Sequence, residues 1–460
     1  MSTPPTRAQI VADAASIARL GGPLLINNLA AAGMSFTDTV MAGQLGARDL
    51  AGLAIGAAWY NLFLFIGMGL FMAVSPAVAH AYGAEDPRRV TRYMRQSWWL
   101  ALVTACVLVA GMWQARWFLP MIGITPDILP VAIGYAEAIS WGLPGMLAFF
   151  SLRYVSEGIG HTRPIMFIAS AALVFNVFAN WVFMYGKFGM PKLGAVGCGV
   201  ASAIAMWLMF GAMCWYVKWQ KLYRPYAFFD RIDRPELRTL GELLRLGVPI
   251  SGSILAEGGL FVAAALLMGS MGAVTASAHQ IALNYASFMF MIPLAISSAT
   301  TIHVGHTIGR GEIAHARSAG FTGIGMCSIV MAISACFMVL LNDQIASLYT
   351  RDVVVRDLAA TLLLAAAVFQ ISDGVQVGAA GALRGFKDTA IPMALCWFSY
   401  WAVGFSLAYV MGVVRGGGPV LVWAGLIAGL AVCSVLLVTR YTSITKSRVR
   451  AATDHSSFVR

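Results

Sequence analysis

Asp38, Glu257 and Asp373 each interrupt a long apolar run in which no Lys or Arg stands beside them. A charge at the centre of a bilayer costs on the order of 2.5 to 3.5 kcal/mol even on insertion scales, so an acid kept there without a fixed counter-ion is a functional residue by default. The chemistry open to such a carboxylate is reversible binding of a mobile cation: a proton, a metal ion or a charged organic molecule. Glu257 lies 12 residues after Arg245, about 18 Å along a helix and therefore near mid-bilayer. Asp373 falls 16 residues after Asp357 and 11 before Arg384, which gives it a similar depth. Two carboxylates sharing one cavity would hold H+ or Na+ between them, and Gln280 and Asn284 offer amide oxygens that suit a hard cation. Asp38, 19 residues past Arg19 and 10 before Arg48, belongs to the outer part of the membrane. Asn176 and Asn180 are four apart, on one helix face, and can hydrogen-bond a buried aspartate or simply bridge helices.

Other polar groups make weaker cases. Glu137 and Glu157 open and close one apolar run and read as interfacial. His303 and His306 have a spacing compatible with a metal, but no third ligand is evident in sequence, and a polar helix end is the simpler reading. The seven cysteines all fall inside apolar runs, without a C-x-x-C pair, and read as packing residues. No resident cofactor is expected.

The elements that position these residues follow from composition. The 460-residue chain is 59% hydrophobic and 11% charged, with a mean hydropathy of +0.76; soluble domains carry about 25% charged residues. This is an all-α polytopic membrane protein. Its formal charge of +11 lies in short segments between apolar runs, which argues for a topological signal rather than a nucleic-acid partner. Runs long enough to span the hydrocarbon as helix fall at about 17–45, 51–82, 94–118, 130–158, 164–186, 194–218, 243–269, 277–308, 317–341, 357–383, 390–413 and 419–440, twelve in all. Placing the tails and alternate loops on one side collects 24 of the 31 Lys and Arg there, so both termini are expected in the cytoplasm, in a cell's inner (plasma) membrane. Pro23, Pro144, Pro249 and Pro293 lie within spans and are candidate bending points.

The chain also repeats itself. RLGGP at 19–23 matches RLGVP at 245–249, an offset of 226 that also aligns Gly43 with Gly269, Gly46 with Gly272 and His80 with His306. EGIGHT at 157–162 matches RGFKDT at 384–389 at offset 227. Two six-helix bundles in a parallel, pseudo-two-fold repeat are expected, with substrate between them. The expected domains are 1–218, a cytoplasmic linker loop at 219–242, a second bundle at 243–440 and a cytoplasmic tail at 441–460. Asp38 aligns with Ala264, Glu257 with Ala31 and Asp373 with Met146, so the acids do not serve a duty common to both copies.

FTDTVMAGQLG at 36–46, SEGIGHTRPIM at 156–166, AHQIALN at 278–284 and GALRGFKDT at 381–389, in that order and with the duplication, resemble the multidrug and toxic compound extrusion (MATE) family, NorM-like branch, over nearly the whole chain. The resemblance implies a V of two six-helix bundles and export of organic cations, aromatic drugs among them, against inward H+ or Na+, by a protein that acts as a monomer. It implies that Asp38 is proton-linked with Asn176 and Asn180 beside it, and that Glu257 and Asp373 form a cation site that could take Na+. Phe369, one turn before Asp373, stands where some relatives carry Tyr, and His161 and His303 stand where Lys or Arg is commoner. Two alternatives remain: a lipid-linked oligosaccharide flippase of the same superfamily, which should need Lys or Arg deep in a span, where none is found; and a membrane-embedded enzyme, for which no H-E-x-x-H or Ser-His-Asp order is present. No G-x-x-x-x-G-K-[ST] loop is present to power a primary pump.

Overall fold

The computed structural model describes residues 6–231 and 233–458, with side chains up to Ala451; the first five and last two residues of the expected cytoplasmic tails lie outside the described residues. Among those described there are helices and turns and no strand. Among the described residues, eleven helices have the length and apolarity to cross a membrane. The twelfth expected span is present but broken: α6 (Leu129–Ser140) and α7 (Leu143–Gly158) meet at Trp141 and Gly142. Pro144 at the start of α7 cannot donate to the preceding turn, and Gly142 lets helix α9 approach so closely that a Cβ there would stand 2.7 Å from the Ala203 Cα.

The chain divides into two compact units. One comprises Ile26–Ser251 and the other the segment ending at Leu25 together with the chain from Gly252 onward. The division runs through two long helices, α1 (Arg7–Leu45) and α10 (Leu237–Ser270), rather than between spans. It thus differs from the 218/243 boundary of the repeat, and the expected linker falls inside the first unit. Pro23, Pro249 and Pro293 lie inside continuous helices, and Pro144 lies at a helix start.

In the Ile26–Ser251 unit, α2 (Ala47–Met72) and α3 (Val74–Gly83) form one span, followed by α4 (Pro87–Trp113), the short α5 (Ala115–Met121), α6, α7, α8 (Arg163–Tyr185) and α9 (Ala195–Trp219). Their facing sides make one apolar core, from Leu53 and Phe71 through Leu147 and Phe150 to Met213. Segment 219–242 is strapped onto α4. Arg95, 8% exposed, pairs with Asp233 at 3.0 Å and donates to the Ala227 carbonyl. Gln96 bonds the Arg234 carbonyl and the Glu236 N–H, and the Trp99 indole donates to the Asp233 carbonyl. The hydrogen bond from Arg95 holds the Asp233 carboxyl below its ordinary value; the strap therefore gains stability above the ordinary aspartate pKa and loses it as pH falls through the lowered one. We expect Arg95→Ala to expose this segment to protease, cutting it several-fold faster than in the wild type because local opening becomes easier; unchanged cleavage would show that the strap contributes nothing.

The other unit holds α11 (Ala273–Gly309), α12 (Ile313–Leu340), the short α13 (Asn342–Tyr349), α14 (Val353–Gly385), α15 (Ala390–Trp397) and α16 (Gly418–Phe458). Helix α14 is central, packed by α11, α12 and α16. Helix α15 continues into two π-helical stretches, Phe398–Phe405 and Ala408–Val414; such widening is frequent at functional sites. Ile17 and Leu24 of α1 are buried against α11 residues of this unit, including Ile296, Ala299 and Ala295. Helix α16 runs on through the expected cytoplasmic tail to Phe458.

Backbone conformation carries the repeat further than the sequence does. Gly46 and Gly272, aligned at offset 226, both cap a helix with positive φ, 127° and 112°, a conformation open to glycine. At the same offset Glu85 (φ 53°) matches Gly311 (φ 82°), and at offset 227 Gly160 (φ 80°) matches Lys387 (φ 57°). The turns are kept even where one copy has lost its glycine.

Candidate functional site: two carboxylate centres

In the Ile26–Ser251 unit, Asp38 on α1 meets Asn180 and Asn176 on α8, the pairing that the family resemblance implies. The Asn180 Nδ2 donates to Asp38 Oδ1 at 2.6 Å and to Asn176 Oδ1 at 3.2 Å, and Asn176 Nδ2 donates to Ser202 Oγ at 3.2 Å. Both asparagines are fully buried. Cys198 and Ser202, one turn apart on α9, lie close to Asp38, and Ser202 is held by Asn176. Tyr60 on α2 and Tyr135 on α6 lie within its electrostatic reach. Among the described residues no ion pair forms to Asp38, and the Asn180 Oδ1 is buried without a partner. A polar relay, Asp38–Asn180–Asn176–Ser202, thus leads away from one carboxylate through neutral groups only.

The second centre lies in the other unit. Glu257 of α10 and Asp373 of α14 are close enough for the charge of one to act on the other. Asp373 is 5% exposed. Tyr400, brought in by the first π-helical stretch, is fully buried and feels both acids. Its hydroxyl has no partner among the described residues, nor have the Ser399 Oγ, both amide atoms of Gln370, the Gln376 Oε1, both ring nitrogens of His279 and the Trp423 Nε1. A buried polar atom without a partner costs about 1–3 kcal/mol, and native proteins hold few of them. These polar atoms lie in the same unit of the chain as the two acids. Glu257, Asp373, the tyrosine oxygen and the amide oxygens are hard donors of the kind Na+ takes, and the acids equally suit a proton.

Phe369 sits in a row of aromatic side chains, with Phe261 at 6.0 Å and Trp423 at 5.8 Å between ring centres, and His279 lies 5.6 Å beyond Trp423. The phenyl thus adds an apolar wall where a Tyr would add an oxygen.

Gln280 and Asn284 are placed differently from expectation. Both are exposed, and the Asn284 amide is used on the Gln280 carbonyl of its own helix; neither contacts Glu257 or Asp373 among the described residues. The neighbouring His279 turns inward instead. One cationic group also comes closer than its flanking position suggested. Arg384 donates to Ser297 Oγ at 2.9 Å and its charge acts on Glu257, although neither acid of this centre is in an ion pair among the described residues. Glu137 pairs with Arg116, and Glu157, which reads as interfacial in sequence, is 2% exposed and paired with Arg153 at 2.7 Å. His303 does not join His306; its Nε2 meets Asp13.

The model of the MatE family matches residues 23–182 and again 249–410, two segments that begin 226 residues apart, the offset of the internal repeat. The chain belongs to the MATE family. It is 38% identical over 424 residues to the probable multidrug resistance protein NorM of Xanthomonas axonopodis pv. citri, covering 92% of this chain and 93% of that one. It is also 38% identical over 439 residues to the multidrug resistance protein MdtK of Pectobacterium atrosepticum, covering 94% and 96%. The crystal structure of the eukaryotic MATE transporter AtDTX14 has the same fold, with a TM-score of 0.87 at 19% identity over 97% of this chain and 99% of that one. This MATE protein is therefore NorM-like in sequence, and its helices follow the fold of the family's transporters.

Proposed function

We propose that this protein is a multidrug efflux antiporter that exports cationic and aromatic molecules in exchange for inward H+ or Na+, as a monomer in the inner membrane with both termini in the cytoplasm. The observation that carries this reading is the pair of carboxylate centres, half-buried Asp38 beside neutral amides and half-buried Glu257 with buried Asp373, none of the three acids in an ion pair among the described residues. A mobile cation is what such acids can exchange. Facing outward, the centres take up H+ or Na+, which weakens their hold on a cationic drug; the drug leaves, access switches, the ion is released inside and a new drug binds. The half-buried Phe261 and the buried Phe369 and Trp423 supply the apolar and π surfaces that flat organic cations prefer. The multidrug resistance roles in the names of the NorM and MdtK relatives and the one-sided distribution of Lys and Arg support the same reading.

One charge moving down 100 mV supplies about 2.3 kcal/mol, enough for about a fiftyfold drug gradient. In vesicles containing only this protein, lipid and a cationic dye, we expect an imposed gradient of pH or of Na+ to drive dye movement against its own gradient. If neither gradient drives dye, the antiport reading fails.

A further inference from the structure

A second cluster of chemistry-bearing side chains lies apart from both carboxylate centres, where the beginning of α1 meets the turn between α11 and α12. Asp13 Oδ1 stands 2.9 Å from His303 Nε2 and 2.9 Å from His315 Nε2. The three ligand atoms lie within 4.8 Å of one another. The Asp13 side chain is 3% exposed, those of His303 and His315 15% and 26%. His303 lies in the last two turns of α11 and His315 in the first turn of α12, and Gly311 in the left-handed conformation (φ 82°) lies in the turn between them.

We infer that Asp13, His303 and His315 form a binding site for a first-row divalent transition metal of the zinc class. Three features argue for it. The donor set, two imidazoles and one carboxylate, is the kind zinc takes with a fourth position left to solvent; two nitrogen donors disfavour Ca2+ and Mg2+, which take oxygen. The spacing is compatible with an ion: donors about 2.05 Å from a tetrahedral ion are about 3.3 Å apart, each nitrogen lies within about 0.4 Å of that separation from Asp13, and all three donors lie within 4.8 Å of one another. The surroundings are already those of a ligand set. His315 turns its other nitrogen, Nδ1, to the Glu312 carboxylate at 3.0 Å, the outer-shell arrangement that fixes a metal-binding imidazole. The Asp13 Oδ2 is buried and has no partner among the described residues, so the carboxylate holds acceptor capacity that the two histidines leave unused.

Metal binding replaces two N–H···O hydrogen bonds with three coordinate bonds. His315 gives its Nε2 proton to solvent and keeps Nδ1–H on Glu312, while the His303 proton passes from Nε2 to Nδ1 by tautomerisation through solvent, which leaves Nε2 bare for the metal. The ion ties α1 to α11 and α12, three segments that otherwise meet here through hydrogen bonds and apolar contacts.

The test uses the full chain, purified without a polyhistidine tag, stripped with chelator and titrated with Co2+ and then Zn2+. One Co2+ per chain with the visible absorption of a tetrahedral ion, displaced by one Zn2+, is expected. His303→Gln and His315→Gln should each abolish it, and Glu312→Gln should weaken it about 10- to 100-fold. Because a histidine variant could fold poorly, X-ray absorption on the zinc-loaded wild type gives an independent reading: two imidazole nitrogens with oxygen in the first shell support the site. No stoichiometric Co2+, the same binding in both histidine variants, or an all-oxygen shell overturns it and leaves the cluster a hydrogen-bonded fastening only.

Discussion

Glu257→Gln is expected to abolish efflux driven by an ion gradient while leaving the protein inserted, monodisperse and able to bind neutral aromatic molecules. The substitution keeps the shape of the side chain and removes its charge. A unit charge facing a carboxylate at about 4 Å is held by about 4 kcal/mol at an effective dielectric of about 20, equivalent to about three powers of ten in affinity. Both the coupling ion and a cationic drug lose this attraction, so exchange loses its basis at two steps. Arg384 sharpens the expectation. Its charge acts on Glu257, and with the carboxylate gone that positive field acts on any arriving cation without Glu257 to offset it. Asp373→Asn should therefore be nearly as damaging, and the double variant little worse than either, because the two acids act as one cation site. Dye transport in vesicles, scored against the amount of protein inserted, checks this. A Glu257→Gln protein with a tenth or more of wild-type gradient-driven transport would contradict it.

The second large effect is expected from Asn180→Leu. Its amide is the donor that reaches Asp38 at 2.6 Å and also the link to Asn176. A hydrogen bond to a charged group contributes about 1.5–3 kcal/mol, so losing it should cost about ten- to a hundredfold in transport through a misplaced Asp38. Asn176 loses a partner as well and is left with Ser202. Asn180→Asp is the informative companion. It keeps the shape but sets a second carboxyl group against the first; cation binding at this centre should persist with altered ion dependence, whereas Asn180→Leu should lose it. Equal transport by wild type and Asn180→Leu, measured at matched insertion, would remove Asn180 from the site and with it the reason for the relay.

The three acids were visible in sequence because a carboxylate in an apolar run is costly and cannot be mistaken for packing. Asn176 and Asn180 were visible because a four-residue step puts them on one face. The residues that complete each centre lacked such a mark. Tyr60, Tyr135 and Tyr400 look like any aromatic in a membrane helix, where tyrosine is common, and Cys198 and Ser202 look like the small residues that let helices approach. One signal was available in α14. Gln370, Asp373 and Gln376 recur at three-residue steps in an apolar helix, and amides with no bonding partner there are costly in the same way as the acid between them. Gln280 and Asn284 misled because their spacing was right for a face but their helix turns that face outward, and His279, one residue away, carries the inward position.

The spans were legible from hydropathy, and their interruptions were not. Pro144 suggested a bend, yet the break at Trp141 and Gly142 depends on α9 approaching over Gly142, a tertiary fact. The π-helical widening that delivers Ser399 and Tyr400 has no local sequence cause that hydropathy can register. The metal cluster was half legible: His303 stood out, but its partners come from Asp13, 290 residues earlier in the chain, and from His315 beyond a glycine turn. The pairing His303 offers in sequence, with His306, is not the one the fold makes.

Drug and coupling ion should compete for carboxylates that form no ion pair among the described residues. The most direct measurement is the affinity of purified protein for a fluorescent cationic drug, titrated at rising Na+ at fixed pH and at rising H+ without Na+, for the wild type and for the variant carrying Asp38→Asn, Glu257→Gln and Asp373→Asn together. At least one of the two ions should weaken drug binding to the wild type in proportion to its concentration, and the triple variant should bind the drug weakly and indifferently to both. Drug affinity that ignores both ions in the wild type, or that survives loss of all three acids, would contradict it.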